Sequence, residues 1–225
     1  LSKIILKTIP GIDRPAICGS LPTKTGQFHM LDLGANVECT AHHLYQFSIM
    51  GSALVQSLEL NTKPVVGLMN IGSEEFKGNE TIKSAGQLIQ KSNLNYAGFV
   101  EGDDIFSGKF DVIVTDGFAG NIALKSIEGV AKVISHFIKT EFTKNIFTKL
   151  SALISLPVMN SVKKKVDPRK YNGASLLGLQ GIVVKSHGGA DSYAFSQAIS
   201  TAYYEVKNQL LDKIESSIQI ELSNE

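Results

Sequence analysis

Cysteine is scarce, with Cys18 and Cys39 alone, so neither a disulfide framework nor a four-thiolate zinc site can be built. A reducing cytosol is the natural compartment for such a chain. No uninterrupted apolar run reaches the ~18 residues that a membrane span needs. Leu1 to Leu6 is apolar in flavour but carries no cleavage pattern of a secretory signal. Charge of one sign is also missing: 22 basic side chains face 21 acidic ones, a net of +1, and bulk charge therefore predicts no nucleic-acid partner. Internal repeats and low-complexity tracts are absent. There is no G-x-S-x-G elbow, no Walker loop and no G-x-G-x-x-G fingerprint, which argues against a covalent serine mechanism and against nucleotide binding. What the chain does have is 225 residues, 43% of them apolar, enough for a real core and too apolar for intrinsic disorder. Its 20 glycines against six prolines suit a fold with many tight strand-to-helix turns.

Short apolar, β-branched runs recur and end in Gly or small polar residues. They are Phe28–Leu33 into Gly34-Ala35-Asn36, Pro64–Ile71 into Gly72-Ser73-Glu74, and Tyr96–Val100 into Glu101-Gly102-Asp103. Two more follow, Phe110–Thr115 into Asp116-Gly117 and Gly181–Lys185 into Ser186-His187-Gly188-Gly189. Runs without alternation read as strands buried on both faces. Helical spacing fills roughly 39–58, 79–93, 121–140 and 191–217, and the stretch from Tyr203 to Glu225 reads as a surface helix fraying into an acidic tail. Strand alternating with helix predicts a layered α/β fold with a mainly parallel sheet. In such sheets ligands bind at the carboxyl ends of the strands, where helix N-termini present free N–H groups, so all five turns are expected to face one crevice.

Residues 139–170 stand apart. Eight basic side chains against Glu141 and Asp167 give this segment a net of +6, and its apolar residues from Ile146 to Met159 are dense, with Pro157 interrupting. The pattern predicts a helical hairpin with a greasy, basic tip. One reading is a dimerisation arm or core helix with a solvated face; the other is a surface for anionic lipid or an acidic protein. The two are compatible.

Three turns have the chemistry to hold an anion. Asp116-Gly117-Phe118-Ala119-Gly120-Asn121 opens a helix, with Asn121 as a side-chain donor and Lys125 one turn on along the same face. The polar segment Asn70–Asn79 includes Lys77, which can place a positive charge on a phosphate or an oxyanion, while Asn79 reads as the cap of the next helix. His187-Gly188-Gly189-Ala190-Asp191 is the third, where a hydrogen-bonded structural histidine is the alternative to a functional one. His42 and His43 are neighbours on one predicted helix and so point apart, and no carboxylate motif accompanies them, so no metal site is expected. Cys18 and Cys39 read as small packing residues.

Taken in order, several stretches resemble the acyl-acyl-carrier-protein:phosphate acyltransferase family of bacterial phospholipid synthesis (PlsX). They are Gly11-Ile12-Asp13-Arg14-Pro15-Ala16, Leu31-Asp32-Leu33-Gly34-Ala35-Asn36-Val37 and Gln46-Phe47-Ser48-Ile49-Met50-Gly51. Val66–Gly72 with Lys77-Gly78-Asn79-Glu80, and Val100-Glu101-Gly102, come next. The series closes with Asp116–Asn121 and Leu124-Lys125, Tyr171–Leu179, and His187-Gly188. Two departures stand out. Asp103 occupies a position where the family usually has an Arg, and about the first third of a family member, with its Met-Gly-Gly-Asp and Ser-Ala-Gly-Asn-Thr-Gly segments, has no counterpart. The Leu1 start agrees with an expectation that this is the C-terminal portion of a longer chain.

The resemblance implies a three-layer, Rossmann-like α/β fold of the isopropylmalate-dehydrogenase and phosphotransacetylase kind, one domain over 1–225 with 139–170 as a protruding hairpin. It implies transfer of a fatty acyl group from the carrier-protein thioester to inorganic phosphate, giving acyl phosphate, without cofactor or metal. By the same resemblance Lys77 and Asn121 are the catalytic candidates, as phosphate or oxyanion stabilisers. Asn36, Asn70, Gly117, Gly120, Lys125 and His187 are the substrate-binding candidates, His187 as proton donor to the leaving group. Acyl carrier protein, an acidic partner, would meet Lys163, Lys164 and Lys165, as would an anionic membrane surface; a homodimer is expected, in the cytoplasm, with peripheral membrane contact. The alternatives are an acyl-coenzyme A-dependent phosphotransacetylase and a non-catalytic scaffold subunit.

Overall fold

The computed structural model describes residues 2–58 and 60–223. Its strands are β1 (Ala16–Pro22), β2 (Gln27–Leu31), β3 (Val65–Met69), β4 (Asn95–Val100), β5 (Val112–Val114), β6 (Ala174–Leu177) and β7 (Val184–Lys185). Its helices are α1 (Ser2–Leu6), α2 (Ala41–Ser57), α3 (Glu80–Lys91), α4 (Gly117–Thr143), α5 (Ile146–Lys165), α6 (Ser192–Lys207) and α7 (Leu210–Leu222). The strands form one sheet in the order β4-β3-β5-β2-β1-β6-β7, with helices on both sides. Pairings among β4, β3, β5 and β2 are parallel, and those of β1 with β2, β6 with β1 and β7 with β6 are antiparallel. β2 to β6 therefore run one way, and β1 and β7 the other.

The described residues divide into two compact units. The first extends to Asn121 and resumes at Arg169; the second is Ile122–Pro168, so α4 begins in one and continues in the other.

In the first unit, register puts Val66 and Leu68, Val112 and Val114, and Leu31 on one face of the sheet, where α2 covers them with Phe47, Met50 and Leu54. Gly51 makes the approach possible, because a Cβ there would lie 2.6 Å from Val112 and 2.9 Å from Leu31. The opposite face, with Phe28, Met30 and Ile113, is buried too, and Phe106 from the β4–β5 connection meets the Phe28 ring edge-on at 6.0 Å. Burial on both faces explains why these strands read as continuous apolar runs. α2 starts at a capping box in which Thr40 and His43 exchange bonds of 3.1 and 3.2 Å, and Asn79 caps α3 as its sequence predicts.

The long C-terminal helix predicted over 191–217 is two helices, broken where Gln209 takes a left-handed conformation (φ 55°) just after Asn208. α7 is no surface helix: Leu210, Ile214 and Ile218 are buried with the α2 core, and Glu221 is buried where it takes hydrogen bonds from Tyr45 and Asn93. Residues 224–225, the end of the expected acidic tail, lie outside the described residues.

The second unit is the remainder of α4 and α5, joined by an Asn145 cap that Thr148 reciprocates. α5 runs straight through Pro157, which the sequence reading took as an interruption. The carbonyl that Pro157 leaves unpaired belongs to Leu153, which is well exposed to water, and this lowers the cost of an interior proline. No described residue of α5 is buried; Phe147, Leu150, Leu153 and Ile154 all lie exposed.

Two buried titratable groups of the first unit set a pH dependence. Burial pushes the Glu205 carboxyl up to about 7, against a hydrogen bond from Ser175 that lowers it, and burial holds the His29 imidazole down at about 4. The folded state thus holds the Glu205 proton more tightly than the unfolded chain does, and stability falls as pH rises towards and through 7. Between pH 6.5 and 8 Glu205 should account for a loss of about 1 kcal/mol, offset in part by His29, which at pH 6.5 is neutral in the folded state but half protonated in the unfolded chain. Urea unfolding across that range should show the slope, and Glu205→Gln should flatten it; an unchanged slope would contradict the assignment.

Candidate active site

Three neighbouring parallel strands, β3, β5 and β2, deliver their carboxyl ends side by side, with β4 on the flank of β3. Adjacent strands lie ~4.8 Å apart, so the turns that follow them are forced together. At the end of β2, Asp32 is fully buried and gathers donors. Its Oδ1 accepts from the backbone N–H groups of Ile17 (2.9 Å), Gly34 (3.2 Å) and Ala35 (3.0 Å). Its Oδ2 accepts from Asn36 N (2.7 Å) and Asn36 Nδ2 (2.9 Å). The turn so fixed receives the start of α4: Gly117 N donates to the Asn36 carbonyl at 2.7 Å, and a Cβ on Gly120 would fall 1.9 Å from the Asp32 carbonyl oxygen. Only glycine fits there.

The N-terminus of α4 is less open to an anion than its sequence suggests. Gly117 N is taken by Asn36, Ala119 N donates to Asp116 Oδ1 at 2.7 Å and Gly120 N to Asp116 O at 3.0 Å. Asp116 occupies the place of the ligand as a cap, which leaves the Phe118 N–H of the first turn for an anion. Asn121 follows directly. Its side chain is exposed, passes over Gly34 at 3.4 Å from that residue's ideal Cβ position, and makes no hydrogen bond among the described residues.

The turn after β3 is built differently. Asn70 Nδ2 donates to the Lys77 carbonyl (3.0 Å), Asn70 Oδ1 accepts from Ile71 N (2.9 Å), and Gly78 at φ 91° closes the loop against the same amide. Lys77 Nζ meets Glu74 at 2.8 Å, and that hydrogen bond raises the Lys77 amine and lowers the Glu74 carboxyl from their ordinary values. Glu101, from the end of β4, accepts from Ser73 N at 3.0 Å and ties this loop to its neighbour.

These contacts sort the candidates. Lys77 and Asn121 present polar ends that no buried network consumes. Asn36 and Asn70 spend their side-chain amides on shaping turns; Asn36 Nδ2 goes to Pro15 O (2.8 Å) and Asp32, so a direct substrate contact from that donor is corrected to a structural one. Gly117 and Gly120 act by permitting close packing. Lys125 belongs to the second unit, where it pairs with Glu128 at 2.9 Å.

His187 is not in the crevice. It follows β7, which runs against β2–β6, so the turn after it emerges at the other end of the sheet, beside the start of β6. There its N–H donates to Asn172 Oδ1 (2.9 Å) and its Nδ1 accepts from Gly189 N (3.1 Å). The alternative of a hydrogen-bonded structural histidine is what the geometry supports, and four of the five predicted turns share one end. Cys18 is buried and Cys39 half-buried, both thiols pushed up chiefly by burial, and no described group of His, Cys, Asp and Glu could hold a metal. Lys163, Lys164 and Lys165 are exposed in the last turn of α5. The residue the sequence reading passed over is Asp32; an Asp directly after a buried strand and two before a Gly is the available signal for such a turn.

Among solved structures the fold matches phosphotransacylases. It superposes on a phosphotransacetylase from Streptococcus pyogenes with a TM-score of 0.57, at 16% identity, over 92% of this chain and 57% of that one. A branched-chain phosphotransacylase from Enterococcus faecalis gives 0.56 at 12% identity, over 90% and 69%. These fix the class of fold. The family model described as fatty acid synthesis protein matches residues 1–213, and the chain belongs to that family. Curated relatives are the phosphate acyltransferases of Methylococcus capsulatus, 58% identical over 95% of this chain, and of Alkalilimnicola ehrlichii, 56% over 97%. The chain spans 63–64% of the length of these relatives.

Replacing Gly120 by Ala should cost about 3 kcal/mol by driving a methyl into the Asp32 carbonyl. Gly188→Ala, where a Cβ meets nothing within 4 Å, should be close to neutral. Urea denaturation of both variants compares them; equal stabilities would mean that the β2 and α4 turns are not locked together as described.

Proposed function

We propose that the crevice at the ends of β2, β3 and β5 is the phosphate-side half of a phosphate acyltransferase site, one that moves a fatty acyl group from an acyl-carrier-protein thioester to inorganic phosphate. The observation that carries the reading is the convergence of the Lys77 loop and the Gly117–Asn121 turn on neighbouring parallel strands. Family membership and relatives named phosphate acyltransferase support it.

The chemistry asks little of a base, since phosphate is an anion and a nucleophile at neutral pH. A phosphate oxygen attacks the thioester carbon, the C–O bond forms as the carbonyl becomes an oxyanion, and the C–S bond breaks to release a thiolate. Thiolates of ordinary thiols, with pKa ~8.5, leave readily and take a proton from water, so the absence of His187 from the crevice removes no essential step. The demands are to hold the dianion beside the thioester and to stabilise the oxyanion. Lys77 supplies the charge, turning from Glu74 to the phosphate; Asn121 and the Phe118 N–H supply donors. Glu74 then acts as a competitor for the amine, holding it in place when phosphate is absent.

The exposed Lys163–Lys165 turn and the apolar surface of α4 and α5 suit three contacts: the acidic carrier protein, a second copy of the chain in a homodimer, and an anionic membrane surface. No described helix is long and apolar enough to cross a membrane, and the membrane contact proposed here is a peripheral one made by this basic, apolar surface.

In the enzyme with the full length of the family, Lys77→Ala and Asn121→Ala should each lower turnover on the order of 100-fold, measured as acyl phosphate formed. Near-wild-type rates for both would remove the assignment. Offering acyl-coenzyme A beside acyl carrier protein in the same assay separates the two donors. Reversing the charge at Lys163, Lys164 and Lys165 should raise KM for the carrier-bound substrate and leave kcat nearly unchanged; an unaltered KM would dismiss the carrier contact, and vesicle cosedimentation of the same variant tests the lipid contact.

A further inference from the structure

At the other end of the sheet a cavity of about 200 Å³ opens between β1, β2 and β6 and the helices α2 and α6, all within the first unit. Glu205 of α6 lines it and is 1% exposed. One of its carboxyl oxygens takes the Ser175 hydroxyl; the other, Oε2, has no hydrogen-bond partner among the described residues, and no described Lys or Arg pairs with it. Among the described residues the fully buried side-chain polar atom without a partner is Tyr96 Oη, so Glu205 Oε2 is not sealed in the interior but open to a group that enters the cavity.

The remaining wall says what would match it. His29 and Cys18 face the same space, but burial keeps the imidazole and the thiol neutral, so neither supplies a cation nor a second negative charge. Ser20, Gln197 and Thr201 add neutral oxygens, and Tyr171 and Tyr204 add aromatic rings, whose faces attract cations. Lys170, exposed, is the one cationic wall residue among the described residues. The volume exceeds that of a single water several times over and suits a molecule of a few heavy atoms.

We infer that this cavity is a binding site for the ammonium group of a small primary amine, with Glu205 as its counter-ion and the surrounding hydroxyl and amide oxygens as acceptors. An ammonium brings three donors and a charge, which satisfies Oε2 and favours the ionised carboxylate that burial alone disfavours. The site stands on a different end of the sheet from the Lys77 and Asn121 turns and does not depend on the proposed transferase reading.

Titration calorimetry of the chain with ethanolamine, with L-serine and with acetate tests it. Saturable binding of ethanolamine, of L-serine or of both, and not of acetate, is expected, weakened about tenfold or more by Glu205→Gln. Tighter binding of L-serine that Lys170→Ala abolishes would seat a carboxylate end on Lys170; equal binding of the two amines would restrict recognition to the ammonium. Should Glu205→Gln not fold by circular dichroism, Ser200→Trp, which puts a bulky ring into the cavity from α6 and keeps the Glu205 side chain, should abolish binding. Failure of both amines to bind, binding of acetate alone, or affinity unchanged in the folded Glu205→Gln or Ser200→Trp variant overturns the proposal.

Discussion

A single buried carboxylate, Asp32, organises the crevice. Five donors converge on it, four of them backbone N–H groups from β1 and from the turn after β2, so that a charge wholly removed from water is stabilised by fixed dipoles. Its effect reaches further than its own turn. The Asn36 carbonyl held by this turn receives Gly117, and the Asp32 carbonyl lies where only a glycine, Gly120, can pass. The end of β2 and the beginning of α4 are thereby one rigid piece, and Asn121 rides on it.

Beside that rigid piece the β3 turn is built from exchangeable contacts. Lys77 is partly exposed and paired with an exposed Glu74, a surface ion pair of small net value that water screens. A phosphate dianion offers the amine more charge than one carboxylate does. In the proposed reading, the combination of a fixed amide on one turn and a releasable amine on the next suits a site that must accept a small mobile anion and let a larger anionic product go.

The second unit follows different rules. α4 and α5 are long, capped and carry exposed apolar side chains along both helices, with the basic residues gathered at the end of α5. Isolated apolar residues on a surface need no explanation, but a whole helix without a buried residue is unusual, and it is what the proposed carrier, dimer and membrane contacts rest on.

Much of the plan was legible in the amino-acid sequence because it is written in local patterns. Both-face burial shows as unbroken apolar runs at Phe28–Leu33 and Phe110–Thr115, the α3 cap shows as Asn79, and the basic, apolar segment of α5 shows as a change in composition. Lys77 and Asn121 stood out since each lies in a polar turn after a buried strand. Strand direction left no such mark. The run Gly181–Lys185 with its glycine turn looks like the other four, yet β7 pairs antiparallel to β6, and this reversal alone carries His187 to the far end of the sheet. Likewise α7 reads as a surface helix until α2 is laid against Leu210, Ile214 and Ile218. The chain itself determined the buried parallel strands, most helices and the polar turns, since those depend on neighbours a few positions apart, whereas β1 and β6, which pair antiparallel to each other, left no such run. Tertiary structure decided which turns meet, which amides are already spent on backbone, and that Glu205 faces a cavity, because each of these depends on pairing between segments far apart in the chain.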